Sequence, residues 1–299
     1  MGIDPRTELS EFLRTRRARL RPEDVGLDDY GGRRRVPGLR REELARLAGV
    51  SVAYYTRLEQ GHGGNVSTGV LDAVASALRL TGAEREHLAH LVRPARAARR
   101  AAPREVPSGA RPAVRPSVQR LIDQLDSVAA CVVGFRMDVL AWNRLACLLL
   151  ADFPRLTPAE RNMARLVFLD PAARGLFVDW ESKASDVVSA LRMDAGARPD
   201  DVELCLLLHD LKEGSADFAV MWERHDVRDV RHGRKRLRHP VAGELTLYFE
   251  SLALPDDAGQ RLVTFHAEPG SPSARALRRL AGRDAESPVP AEAGVAGGP

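Results

Sequence analysis

Apolar residues recur at helical spacing along the first third of the chain. Leu9, Phe12, Leu13 and Leu20 predict a helix over Thr7–Leu20. Arg21–Leu39 holds Pro22, Gly26, Gly31, Gly32, Pro37 and Gly38 and predicts a loop. Leu44, Leu47 and Ala48 then form one stripe on a short second helix. Glu42 and Glu43 lie in its first turn, where carboxylates suit the positive end of the helix dipole. Gly49 is placed to stop it in a left-handed conformation, and Ser51 to cap a third helix. There Tyr55 and Leu58 share one face, Ala53, Tyr54 and Arg57 the opposite one, and Gly61 marks the end. Ser67 caps a fourth helix carrying Val70, Leu71, Val74, Ala77 and Leu78, and Ala83–Val92 makes a fifth. Residues 1–92 therefore predict a compact all-α domain of five helices.

Residues 93–116 are rich in Pro, Ala and Arg without apolar periodicity and read as a linker. Residues 117–281 mix periods. Ala129–Phe135 and Val139–Asn143 around a short turn predict a hairpin. Thr157, Pro158 and Glu160 have the spacing of N-cap, N1 and N3 of a helix. Asp170–Pro171 repeats that start, and longer helices are expected over Asp179–Met193 and Val202–Lys212, the latter stopped at Gly214. Leu245, Leu247 and Phe249 alternate as a strand does, whereas Leu252 and Leu254 fall out of phase, which predicts a β-bulge. Arg261–Ala267 reads as a last strand, and Ser271–Pro272 opens a final helix to about Ala281. The expected second domain is α+β, an antiparallel sheet with helices on one side. Residues 282–299, rich in Ala, Gly and Pro, are expected to be disordered.

Composition sharpens this. A length of 299 residues suits about two domains. No apolar run reaches the roughly 18 residues of a membrane span, and the N-terminus, with Asp4, Glu8 and Glu11, lacks a signal-peptide pattern. A cytoplasmic protein without a membrane partner is expected. Cys131, Cys147 and Cys205 are odd in number and far apart, which suits reduced thiols rather than disulfides or a zinc knuckle. The net charge of +4 is unevenly spread: residues 1–100 hold 19 arginines against 13 carboxylates, residues 101–120 add +3, and residues 121–299 carry −5. A basic front part points to a polyanion, double-stranded DNA. Two short helices joined at a glycine turn form a helix-turn-helix unit, and the shown face of the second, with a small side chain, a phenol and a guanidinium, suits base edges and neighbouring phosphates. Arg33, Arg34 and Arg35 fit either a solvated loop or a phosphate-facing arm.

No nucleophile elbow, Walker loop or dinucleotide glycine pattern occurs, so an enzyme is not expected. Asp200–Asp201 and Asp256–Asp257 read as helix-start and turn residues. His225, His232, His239 and His266 have spacings that put no pair on one helix face, so neither metal nor cofactor is expected. Arg136, Trp142, Phe168, Trp180, Trp222, His225, Tyr248 and Phe249 are the candidates for an apolar cavity with few polar groups. A small, mostly apolar, lipid-like effector fits such a cavity. A metal- or haem-sensing domain and a pure dimerisation domain are the alternatives.

Longer motifs resemble a known family. "VPGLRREELARLAGVSVAYYTRLEQG" resembles the helix-turn-helix of the phage-repressor/xenobiotic-response-element class in its actinobacterial form. "MDVLAWN", "DPAARGLFVDWE", "WERHDV", "RHPVAGELTLYFESLALPDD" and "RLVTFHAEPGSPSARALRRLA" resemble the ligand-binding domain of the methylenomycin-regulator type, and the likeness runs over about residues 8–281. It implies a bacterial transcription regulator with a PAS-like ligand domain. Carried over residue by residue, it places Ser51, Val52, Ala53, Tyr54 and Arg57 at the DNA groove and Arg41, Asn65 and Ser67 at backbone phosphates. Repressors often carry Gln or Asn in the first turn of this helix. Val52 and Ala53 are apolar instead, which favours contact with a thymine methyl. The likeness also implies an inward Glu59 paired with Arg17. One such domain reads few base pairs, so a homodimer with half-sites about 34–36 Å apart is expected.

Overall fold

The computed structural model describes residues 4–27, 38–64, 66–92, 113–255 and 259–282. Arg33, Arg34, Arg35, Asn65, most of the linker, Asp256–Asp257 and the tail from 283 lie outside the described residues.

The front of the chain is all helical: α1 (Pro5–Arg19), α2 (Arg41–Leu47), α3 (Val52–Glu59), α4 (Thr68–Ala77) and α5 (Gly82–Val92). Asp4, Ser51 and Ser67 cap α1, α3 and α4 by accepting from backbone N–H groups of their first turns. Gly49 takes φ +65 between α2 and α3, a conformation in which a side chain is strained. Leu9, Phe12, Leu13, Leu44, Tyr55, Leu58, Val74 and Leu88 close one core. That core also includes Val227 of the second domain, with Met193 packed against it.

The second domain contains α6 (Pro116–Asp123), β1 (Ala129–Val133), β2 (Val139–Trp142), α7 (Arg144–Leu149), α8 (Met163–Leu169), α9 (Pro171–Leu176), α10 (Trp180–Ala197), α11 (Val202–Gly214), α12 (Ala216–Glu223), β3 (His232–His239), β4 (Gly243–Ala253), β5 (Arg261–His266) and α13 (Pro272–Leu280). The five strands form one antiparallel sheet in the order β2-β1-β5-β4-β3. Its inner face, with Cys131, Val139, Leu237, Leu247, Phe249 and Phe265, shares a core with α7–α12.

Three expectations are corrected. The helices are not confined to one side: α6 covers part of the outer face, where Val118 and Ile122 meet Ala130, Val132 and Leu262. That second layer explains Leu254, whereas Leu252 stays 52% exposed. β4 carries no bulge, and its register with β5 is unbroken through Leu252↔Leu262. Leu252 points to the outer face, and Leu254 packs beneath α6. The one register shift lies between β1 and β2, at Val132/Val133. The third correction concerns Thr157. Its N–H donates to Glu160 Oε2 at 2.8 Å, and Glu160 N–H donates back to Thr157 Oγ1 at 3.4 Å. Both bonds belong to an isolated turn, because Asn162 next bridges to Asp138 and itself caps α8.

Candidate nucleic-acid interface and the helix shared by the two domains

α3 buries Tyr55, Leu58 and Glu59 and leaves Val52, Ala53 and Arg57 exposed, with Tyr54 half-buried. Val52 is 48% exposed and belongs to the outward face. Ser51 spends its hydroxyl on Tyr54 N–H at 3.1 Å, and Ser67 caps α4 while remaining exposed. Glu59 is 2% exposed and anchors the helix from within. Arg17 donates to it at 2.7 and 3.0 Å, and Arg41 ties its guanidinium to the other carboxylate oxygen. Arg41 therefore stands half-exposed at the start of α2, fixed by the residue that ends α3.

In the second domain the predicted pocket residues scatter. Trp180, Phe168, Phe218 and Trp222 form a continuous aromatic row in that order, with centroid steps of 5.7, 5.0 and 5.6 Å, among the helices. Trp142 packs on Phe153 at 5.1 Å, under Arg161. Arg136 is taken up by Asp138, Asp201 and Glu203. Tyr248 lies on the outer sheet face, stacked on His266. His225 lies where the two domains meet. Phe249 lines the inner sheet face, as does Trp142, the register partner of Cys131.

One flank of α10 faces that inner sheet surface. Lys183, Asp186, Ala190 and Asp194 follow at three- and four-residue steps along one flank of α10, and each is half-buried. Opposite them, Lys235, Ser251, Val263 and Arg261 are the half-buried members of the inner sheet face. Lys235 Nζ donates to Asp186 Oδ2 at 2.6 Å and joins the two walls. Burial lifts the Asp194 carboxyl to about 7 although it accepts Arg136 N–H at 2.9 Å. Burial likewise lowers the Lys183 ammonium to about 8. From Lys183 to Asp194 the flank runs about 16 Å at about 1.5 Å per residue. Sequence reasoning missed this row, whose only trace is four non-bulky positions at helical spacing beside a strongly apolar stripe.

The neighbouring flank of α10 docks the helical domain. Arg192 is fully buried; it donates to Glu8 Oε2 at 2.7 Å and to Trp222 O, meets His225 Nδ1 at 2.9 Å, and lies 4.2 Å from the Trp222 ring. Arg16 donates to His225 O at 2.6 Å and pairs with Glu84 at 2.7 Å, and Arg19 pairs with Asp226. Burial opposes the charge on Glu8, but His225 and Arg192 outweigh it and hold the carboxyl at about 2. His87, edge-on to Phe12, is kept neutral by burial, its pKa lowered to about 3. Gly196 brings α10 so close that an added Cβ would lie 2.8 Å from His87 Nδ1.

The remaining histidines stand apart. His239 bonds Leu148 O and the Val241 and Ala242 N–H groups, His266 stacks on Tyr248, and His232 is exposed on β3. Among the described residues no three His, Cys, Asp or Glu side chains gather as a metal-holding group.

Comparison with known proteins bears on both halves. A helix-turn-helix domain model matches residues 8–88, and the model of the MmyB-like transcription regulator ligand binding domain matches residues 114–280, more than half of the chain. No curated protein matches the sequence. The exposed face of α3 and the sheet beneath α10 fall one in each matched region, and the chain belongs to the MmyB-like transcription regulators, with a helix-turn-helix DNA-binding domain joined to a ligand-binding domain.

Proposed function

We propose that this regulator binds its operator as a cytoplasmic homodimer through Val52, Ala53, Tyr54 and Arg57, and that a small, mostly apolar effector in a PAS-like second domain alters that binding. One observation carries the reading: α10 is shared. One flank, with Arg192, Met193 and Gly196, holds the DNA-binding domain, and the adjacent flank, with Lys183, Asp186 and Asp194, faces the sheet. A ligand that moves α10 acts on both. Its effect is bounded by its differential affinity for the two arrangements, typically about 1–3 kcal/mol or 5–150-fold. The apolar floor of Cys131, Leu247, Phe249 and Val263 with a few charges around it suits a ligand of that character. No described helix is long and apolar enough to cross a membrane.

The test is a thermal-shift screen of the full chain against small metabolites, since a ligand of the native state raises the melting temperature. Operator titrations by fluorescence anisotropy then follow with each stabilising compound. A compound that binds yet leaves operator affinity unchanged reduces the second domain to a passive module. Sedimentation at DNA-binding concentrations tests the dimer, and monomers there end that part of the proposal.

A further inference from the structure

The second domain is acidic, yet one segment of it reverses the sign. Residues 121–299 carry −5, but residues 224–238 hold seven Lys and Arg against two Asp. The segment leads from α12 into β3 and runs along it, and β3 is an edge strand of the sheet. Lys235 turns inward to Asp186, whereas Arg234, Arg236 and Arg238 alternate onto the outer face, at steps of about 6.6 Å. Arg236 and Arg238 have acidic neighbours in Asp179 and Glu244. Arg228 and Arg234 are exposed, and among the described residues no carboxylate pairs with either. Arg234 stands opposite the exposed Tyr248 in the strand register.

The start of this segment is built into the DNA-binding domain. Val227 is buried in that domain's core. Arg16 donates to His225 O at 2.6 Å, and Arg19 donates to Arg224 O at 2.8 Å and to Asp226 at 2.7 Å. Arg17, in the same turn of α1, holds Glu59, which in turn holds Arg41. A single turn of α1 thus fixes Arg41 through one flank and residues 224–226 through another, about one helix diameter of 10–12 Å apart. A span of that order is the width of the major groove, about 12 Å. Arg228 follows directly on the buried Val227. Ser251 N–H then donates to Arg231 O at 2.6 Å and carries the fixed path into the sheet.

We propose that this basic edge of the second domain is a further DNA-contact surface, in which Arg228 and Arg234 meet duplex phosphates beside the bases faced by α3; the proposal rests on the DNA-facing reading of α2 and α3 above. Arginine suits the task, because its planar fork matches phosphate oxygens two at a time. Such contacts carry no sequence information and instead set the protein's register and orientation on the duplex. With the segment's +5 set aside, the rest of residues 121–299 carries −10. A polyanion repels that remainder, so the basic edge is the part of the domain that the duplex draws towards itself. DNA held by both domains favours their docked arrangement about α10, and a ligand that shifts α10 withdraws these contacts.

The experiment uses the full chain and a fluorescein-labelled random-sequence duplex of about 30 base pairs, titrated by anisotropy between about 50 and 200 mM salt. Arg228→Gln/Arg234→Gln is compared with the unsubstituted protein and with Arg275→Gln/Arg279→Gln, which removes the same charge from exposed positions on α13. Two lost phosphate contacts should lower the salt slope by about two for each bound subunit, so the unsubstituted protein loses about tenfold more affinity than the variant across that range. That result, with the α13 variant unchanged, supports the surface. Equal reductions in both variants assign the effect to net charge and overturn it. An unchanged slope beside a reduced one in Arg41→Ala also overturns it, and leaves the arginines as guards of the β3 edge against pairing with other chains. Unchanged slopes in both, or no binding by the unsubstituted protein, overturn the DNA-facing reading of α2 and α3 as well.

Discussion

Replacing Arg192 with methionine tests the junction between the domains. The guanidinium is fully buried and bonds groups from both sides: Glu8 of α1, and Trp222 of α12 with His225 just after it. Methionine fills much of the volume but leaves Glu8 buried without its cation. Removing one partner of a buried pair costs about 3–5 kcal/mol. Despite burial, Glu8 is held at about 2 against an ordinary 4.5 by His225 and Arg192 together, a displacement worth about 3 kcal/mol that the two share. The sign follows from the lowered value: the contribution is complete above pH 4.5 and is lost as pH falls towards 2. Against a total stability of about 5–15 kcal/mol such a loss is large. Urea denaturation of the full chain at pH 7 measures it, and the cycle with Glu8→Met separates pairing from packing, since the double variant carries no uncompensated charge. The double variant should recover at least half of the loss. An Arg192→Met cost below about 1 kcal/mol, or two losses that simply add, refutes the account of Arg192 as the buried tie between the domains.

Other consequences are open to measurement. Arg57→Ala should cost about 1–3 kcal/mol on the operator and relax one base position, whereas Arg41→Ala should weaken all sequences alike and lower the salt slope by about one; equal losses on operator and random DNA would make Arg57 a phosphate contact. Glu59→Ala strands Arg17 and Arg41 and should destabilise the DNA-binding domain by about 3–5 kcal/mol in thermal melts; a near-neutral result removes the buried anchor from the account. Gly196→Ala should lower the melting temperature by pressing into His87, while Gly175→Ala, with nothing within 4 Å of the new carbon, should not. Because His87 is held at about 3 rather than 6.5, the unfolded chain alone takes up that proton as pH falls through 6.5, and stability should decline from there towards 3; His87→Phe should flatten that part of a pH–denaturation curve.

Local rules carry a long way in this chain. Helical spacing places α1 to α5, Ser51 and Ser67 form the caps their side chains suit, and Gly49 adopts the left-handed turn that joins α2 to α3. The two faces of α3 follow from phase alone, because a helix within one small core has one side to bury. Strand alternation through Leu245, Leu247 and Phe249 reports the inner sheet face for the same reason. Phase states which side is covered, and it is silent on what covers it. Leu254 falls out of phase because α6, from more than 100 residues earlier, covers part of the outer face. The Thr157 turn forms its capping bonds and goes no further, because Asn162 is drawn to Asp138. Arg192 reads as one charge on an amphipathic helix, yet it is buried, since its compensating carboxylate, Glu8, arrives from 184 positions away. Asp186 finds its cation only when β3 brings Lys235 across to α10. A buried charge is tolerated for the sake of a partner distant in sequence, and such partners are chosen by the packing of α10 against the sheet on one flank and the DNA-binding domain on the other.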